Sequence, residues 1–114
     1  MAISSDSIRG HLDTILLSLI KEKDRYGYEL ALAIKERSEG LFEIKEASLY
    51  ATLQRLFEKG MITSYDGEKS HGKKRRYYTL TDLGQTYILG KTQEWRELQT
   101  LMSRLLEDSH GSHS

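Results

Sequence analysis

At about residue 61 the hydrophobic pattern of this chain changes period, and few small folds accommodate the change. Up to Gly60 the apolar residues recur at helical spacing. From Met61 to Leu80 they gather in two short runs rich in β-branched and aromatic residues, and from Asp82 to Leu106 helical spacing returns. The predicted order is helix, helix, short extended step, helix, two-stranded hairpin, long helix. A chain of 114 residues has room for one compact unit with an arm and little room for a second core.

Ile8, Leu12, Ile15, Leu16, Leu19 and Ile20 define the first helix, and Leu17 widens its apolar surface, so it is expected to pack on two sides. Arg25-Tyr26-Gly27-Tyr28 interrupts it. Leu30, Ala31 and Ile34 continue as a second helix to about Glu39, which Gly40 ends. Leu41 to Ile44 suit a single extended step. Leu49, Leu53, Leu56 and Phe57 form the buried stripe of a third helix that starts at Lys45 or Glu46 and stops at Gly60.

Met61 to Tyr65 and Arg75 to Leu80 read as the strands of a hairpin, with Asp66 to Gly72 as its tip. Strand alternation puts Tyr78 and Leu80 on one face and Tyr77 and Thr79 on the other. Thr81 and Asp82 supply capping side chains for the last helix. The expected fold is mainly α with a small β-hairpin. It comprises a winged helix-turn-helix over residues 5–81, a dimerisation helix over 82–106 and a disordered tail over 107–114, which has no apolar residue.

Seventeen Lys and Arg balance seventeen Asp and Glu, so bulk positive charge cannot drive binding to a polyanion and any such contact needs a local patch. The chain has no cysteine, which removes disulfides, thiolate metal sites and a cysteine nucleophile. The apolar run from Thr14 to Ile20 is far short of the roughly 20 residues that cross a bilayer. No signal peptide is recognisable at the start, and a cytoplasmic location without membrane contact is expected. His110 and His113 lie in the tail, His11 and His71 have no metal-ligand spacing between them, and no phosphate loop or nucleophile motif is present. Neither an enzyme, a cofactor nor a metal is expected.

Two features point to double-stranded DNA. The side of the third helix opposite its leucines carries Ala47, Ser48, Ala51, Gln54, Arg55 and Glu58. Small residues permit close approach to a groove, Gln54 can pair with adenine, and Arg55 can reach guanine or a phosphate. Tyr50 and Thr52 stand at the border, where a hydroxyl can meet the phosphate backbone. An ordinary solvated helix face has the same composition, but the hairpin adds Lys69, Lys73, Lys74, Arg75 and Arg76, five cations within eight positions. Such a tip can follow phosphates into a neighbouring groove, with salt-dependent affinity. A solubilising turn is the simpler alternative.

In the last helix Trp95, Leu98, Met102 and Leu105 follow 3-4-3 spacing, with Ile88 seven residues before Trp95. A single small domain offers this seam no partner, so a homodimer is expected, with Ile8, Leu12 and Ile15 of the first helix completing the contact. A two-fold dimer presents two reading helices to a pseudo-palindromic operator. Near that axis Trp95 can stack on a flat aromatic molecule, with Ile88, Thr92, Gln99, Leu17 and Ser18 lining the site. Plain dimer packing explains the same residues.

Gly27-Tyr28-Glu29-Leu30-Ala31, the run from Ala47 to Leu56, Gly60-Met61-Ile62 and the run from Arg75 to Gly84 together closely resemble the PadR family of transcriptional regulators. The resemblance covers about residues 10–106, and the single C-terminal helix with Trp95 resembles the small PadR subgroup. It implies a homodimeric repressor, often of a multidrug efflux operon, modulated by planar aromatic compounds. It places Leu49, Tyr50 and Arg55 in the recognition helix, Lys73 to Arg76 in the wing and Trp95 in the drug site. The family's Gly-Thr-Leu-Tyr-Pro is replaced here by Ala47-Ser48-Leu49-Tyr50-Ala51. A PadR-type sensor of phenolic acids and a helical interaction adaptor without DNA binding are the alternatives.

Overall fold

A computed structural model describes residues 5–67 and 74–107. Helix α1 (Ser5–Ile8) leads through a 3-10 turn (Arg9–His11) into α2 (Leu12–Glu22), followed by strand β1 (Arg25–Tyr26), α3 (Gly27–Arg37) and α4 (Glu46–Glu58). Strands β2 (Ile62–Asp66) and β3 (Arg76–Leu80) and the long helix α5 (Asp82–Leu106) complete the chain. The three strands form an antiparallel sheet in the order β1-β3-β2. This is a winged helix with a long C-terminal helix, as the change of period predicts.

The core lies between the helices and one face of the sheet. Leu16, Leu17, Leu19 and Ile20 of α2 meet Leu30 and Ile34 of α3, Leu49, Leu53 and Leu56 of α4, Ile62 and Ile88. Tyr78 and Leu80 pack on it from β3, on the face that alternation assigns them. Each such Leu or Ile, taken from water to full burial, stabilises the fold by roughly 1.5–3 kcal/mol. Gly60, at φ +77°, ends α4 in the left-handed backbone region that costs a glycine no Cβ clash. Thr81 caps α5: its Oγ1 accepts from the Gly84 amide at 3.1 Å and donates to the Gly60 carbonyl at 2.7 Å.

Three local features differ from the pattern-based expectation. The first helix is not continuous, because the segment around Gly10 tightens into a 3-10 turn before α2. No strand forms at Leu41 to Ile44; Phe42 and Ile44 pack against the core instead. The third strand is β1, where Arg25 and Tyr26 face Tyr78 and Tyr77 of β3. Two residues are too few to show a period. Arg25 is nonetheless buried, with Nε donating to the Leu19 carbonyl at 2.9 Å and Nη2 to Glu22 at 2.8 Å, so its charge has partners.

Only the start of α5 belongs to the core, through Gly84 and Ile88. From Gln93 to Leu106 every residue of α5 is exposed, and the helix projects as an arm that gives the molecule a longest dimension of 63 Å. The expected tail falls on residues 107–114, of which 108–114 lie outside the described residues.

Candidate nucleic-acid interface and interhelical cavity

Helix α4 turns its leucines inward and leaves Ala47, Ser48, Tyr50, Ala51, Gln54, Arg55 and Glu58 exposed. Its neighbour α3 enters at Gly27, onto which Tyr50 folds: a Cβ at Gly27 would lie 2.2 Å from the Tyr50 hydroxyl oxygen. The two candidate reading side chains already hold carboxylates. Gln54 donates its amide to Glu58 at 3.0 Å, and Arg55 Nη2 donates to Asp13 of α2.

Beside this helix the sheet carries an aromatic outer face. Tyr65 and Tyr77 stack at 5.7 Å, Tyr26 meets Tyr77 edge-on at 5.4 Å, and the Arg75 guanidinium sits 4.4 Å from the centre of the Tyr26 ring. The Tyr65 hydroxyl donates to Asp24 at 2.6 Å, which raises its pKa, since ionisation would lose that bond beside a carboxylate. On the opposite face burial pushes the Tyr78 phenol up. Lys74 and Arg76 are exposed at the base of the hairpin tip.

A cavity of about 720 Å³ opens between the N-terminal helices and the root of the arm. It is lined by Ile8, Gly10, His11, Asp13, Thr14, Ile15 and Ser18 from the N-terminal helices and the turn between them, and by Tyr87, Lys91, Glu94, Trp95 and Leu98 from α5. The His11 ring meets Trp95 edge-on at 5.8 Å, and half of Trp95 remains exposed. Lys91 pairs with Glu94 at 3.3 Å, which raises the Lys91 pKa by holding its charged form.

The model of the PadR-like transcriptional regulators matches residues 16–89. The chain belongs to the PadR-like family. It is 49% identical over 105 residues to an uncharacterized protein X of Lysinibacillus sphaericus, a match that covers 92% of this chain and 96% of that one. The structure of a transcriptional regulator from Clostridium thermocellum shares 41% identity at a TM-score of 0.81, over 92% of this chain and 99% of its own. Bacillus subtilis PadR, solved in complex with operator DNA, shares 25% identity at a TM-score of 0.66, over 75% of this chain and 48% of its own. PadR-like proteins are transcriptional regulators and not enzymes.

Within this PadR-like regulator, several residues stand elsewhere than the sequence pattern places them. Thr52 is 2% exposed, so its hydroxyl cannot meet a phosphate. The correction has a visible cause, because 49, 52, 53 and 56 are the i, i+3, i+4, i+7 positions of one buried stripe, and Phe57, expected in that stripe, is instead 45% exposed. Arg75 is half-buried at the start of the wing strand, with its guanidinium over the Tyr26 ring on the strand face it shares with Tyr77. Lys73 lies outside the described residues.

Of the expected ligand residues, Trp95 and Ser18 line the cavity, together with Ile8, Ile15 and Leu98, which the sequence pattern assigns to a dimer contact. Leu17 and Ile88 do not, because both are fully buried in the core. Thr92 turns its hydroxyl to the Ile88 carbonyl at 2.8 Å, and Gln99 is exposed on the arm away from the lining. Leu12, expected at a dimer contact, is buried within the single chain. Met102 and Leu105 remain exposed.

His11, Asp13, Tyr87, Lys91 and Glu94 escape sequence reasoning. The lining stripe of α5 runs 87, 91, 94, 95, 98, one position earlier than the stripe through Ile88, Thr92, Trp95 and Gln99. Helical spacing alone identifies both stripes equally well. Among the described residues no group of His, Asp and Glu could hold a metal ion, and no helix is long and apolar enough to cross a membrane.

Proposed function

We propose that this protein is a homodimeric repressor that binds a pseudo-palindromic double-stranded operator and responds to planar aromatic molecules held beside Trp95. The observation that carries the reading is the arm. Trp95, Leu98, Leu101, Met102 and Leu105 are between 42% and 68% exposed along one helix that a single chain leaves uncovered. Such a surface is explained by a second copy, whose arm would cover these residues and roof the cavity.

Pairing through α5 sets two α4 helices on one side of the dimer, the arrangement that a palindrome reads. The exposed face of α4, with Lys74 and Arg76 at the hairpin, supplies the groove and phosphate contacts. The relation to Bacillus subtilis PadR, itself solved with operator DNA, supports the same use. Protein that acts on bacterial DNA works in the cytoplasm. A cavity of about 720 Å³ with an indole wall suits flat aromatic compounds of drug size, and control of an efflux operon is what the resemblance to the small PadR subgroup implies.

The decisive experiment combines sedimentation with band shifts on the promoter upstream of the protein's own gene. Dimers at micromolar concentration and a shift that weakens steeply with salt are expected. A folded monomer, or a shift insensitive to salt, overturns the reading. Quenching of Trp95, the single tryptophan, by acridine tests the ligand site separately, with the anisotropy of acridine's own fluorescence expected to fall to the free-dye value in Trp95→Ala.

A further inference from the structure

We infer that Asp13 is shared between the cavity and the recognition helix, so that a cation bound beside Trp95 and the side chain of Arg55 compete for one carboxylate. The inference rests on the ligand site proposed above. Asp13 stands in the first turn of α2 and lines the cavity together with Trp95. The same carboxylate accepts a hydrogen bond from Arg55 Nη2, 42 residues along the chain, on the rim of the exposed face of α4.

The pair is asymmetric. The Asp13 side chain is 21% exposed and Arg55 46%, so the carboxylate is the more enclosed partner, and Asp13 lines the cavity whereas Arg55 does not. The cavity contains a second carboxylate, Glu94, but Lys91 already holds it at 3.3 Å. A positive group entering beside the indole therefore finds in Asp13 a carboxylate whose partner comes from outside the cavity. Drawing Asp13 toward that group loosens Arg55, which then becomes available to a phosphate or a base edge. Because coupling between two equilibria is reciprocal, removing Arg55 must strengthen cation binding in the cavity.

That reciprocity makes the test independent of DNA. Trp95 fluorescence is titrated with N-methylacridinium, a fixed planar cation, and with acridine at mildly alkaline pH, where it is uncharged. Arg55→Gln is expected to tighten the cation about two- to fivefold, the range of a partly exposed ion pair, and to leave acridine unchanged. Asp13→Asn should weaken the cation selectively, and Asp13→Asn with Arg55→Gln should match Asp13→Asn alone. A purely structural role of the pair would move both dyes together. An unchanged ratio of the two affinities in Arg55→Gln, with normal quenching by both dyes, overturns the shared carboxylate and leaves the ligand site standing. Failure of both dyes to quench the unmodified protein removes the ligand site and this coupling with it.

Discussion

Glu22 at the end of α2 accepts two hydrogen bonds from Arg37 at the end of α3, at 2.7 and 2.6 Å, and a third from Arg25 at 2.8 Å. One carboxylate thus joins two helices to the start of β1. The Arg37 hydrogen bonds, helped by Arg25, hold its pKa down to about 2 from an ordinary 4.5. A depressed carboxylate stabilises the folded state above its unfolded pKa and loses that contribution as pH falls through its folded value. Stability should therefore decline between about pH 4.5 and pH 2 more steeply than in Glu22→Gln. The side chain is 46% exposed, so solvent screening keeps the effect at neutral pH to about 1 kcal/mol or less. Urea midpoints of both proteins across that pH range check it.

Gly84 fits α5 against the start of β2. An added Cβ would lie 2.1 Å from the Met61 carbonyl oxygen and 2.8 Å from Leu80 Cδ1. Backbone cannot yield as a flexible side chain does. Gly84→Ala is expected to cost about 1–3 kcal/mol in urea unfolding, whereas Gly90→Ala, with nothing within 4 Å, should be neutral or stabilising. Equal stability of the two variants would contradict the packing described.

Lys74→Gln and Arg76→Gln should weaken binding to operator and random DNA alike. Where the replaced cation neutralises a phosphate, the logarithmic salt dependence should become shallower by about 0.9. Gln54→Ala should instead relax preference at one base pair by about 1–3 kcal/mol while the salt slope holds. Anisotropy titrations at several salt concentrations separate the two behaviours.

Thr52→Val should leave operator affinity unchanged, because the residue faces the core and not the groove. Thr52→Asp should prevent folding by burying an unpaired charge. Circular dichroism with band shifts distinguishes these outcomes, and a folded Thr52→Val protein with abolished DNA binding would restore the hydroxyl to the interface.

Leu98→Glu combined with Met102→Glu is expected to yield monomers in sedimentation while the winged domain stays folded, since both side chains are exposed on the arm of the single chain. DNA affinity should fall sharply with the loss of paired reading helices. A dimer that survives both charges would move the contact to another face.

Most of the architecture is readable along the chain because its determinants are local. The stripes of α2, α3 and α4, the stop at Gly60, the cap at Thr81 and the face carrying Tyr78 and Leu80 each depend on residues within one or two turns. Thr52 is equally readable, since it completes the stripe of Leu49, Leu53 and Leu56. Strand β1 is not. Arg25 and Tyr26 become a strand only because β3 lies alongside to accept them.

Residue order and spacing settle which segments are helices, where they stop, and that an amphipathic arm follows a winged domain, because periodicity and capping act over a few residues. Which sides of α2 and α5 enclose the cavity, and that Asp13 reaches Arg55 across 42 residues, arise only when packed elements bring distant faces together. A rotation of one residue about a helix axis changes which side chains line a site and leaves the hydrophobic period untouched, so no local pattern carries that information.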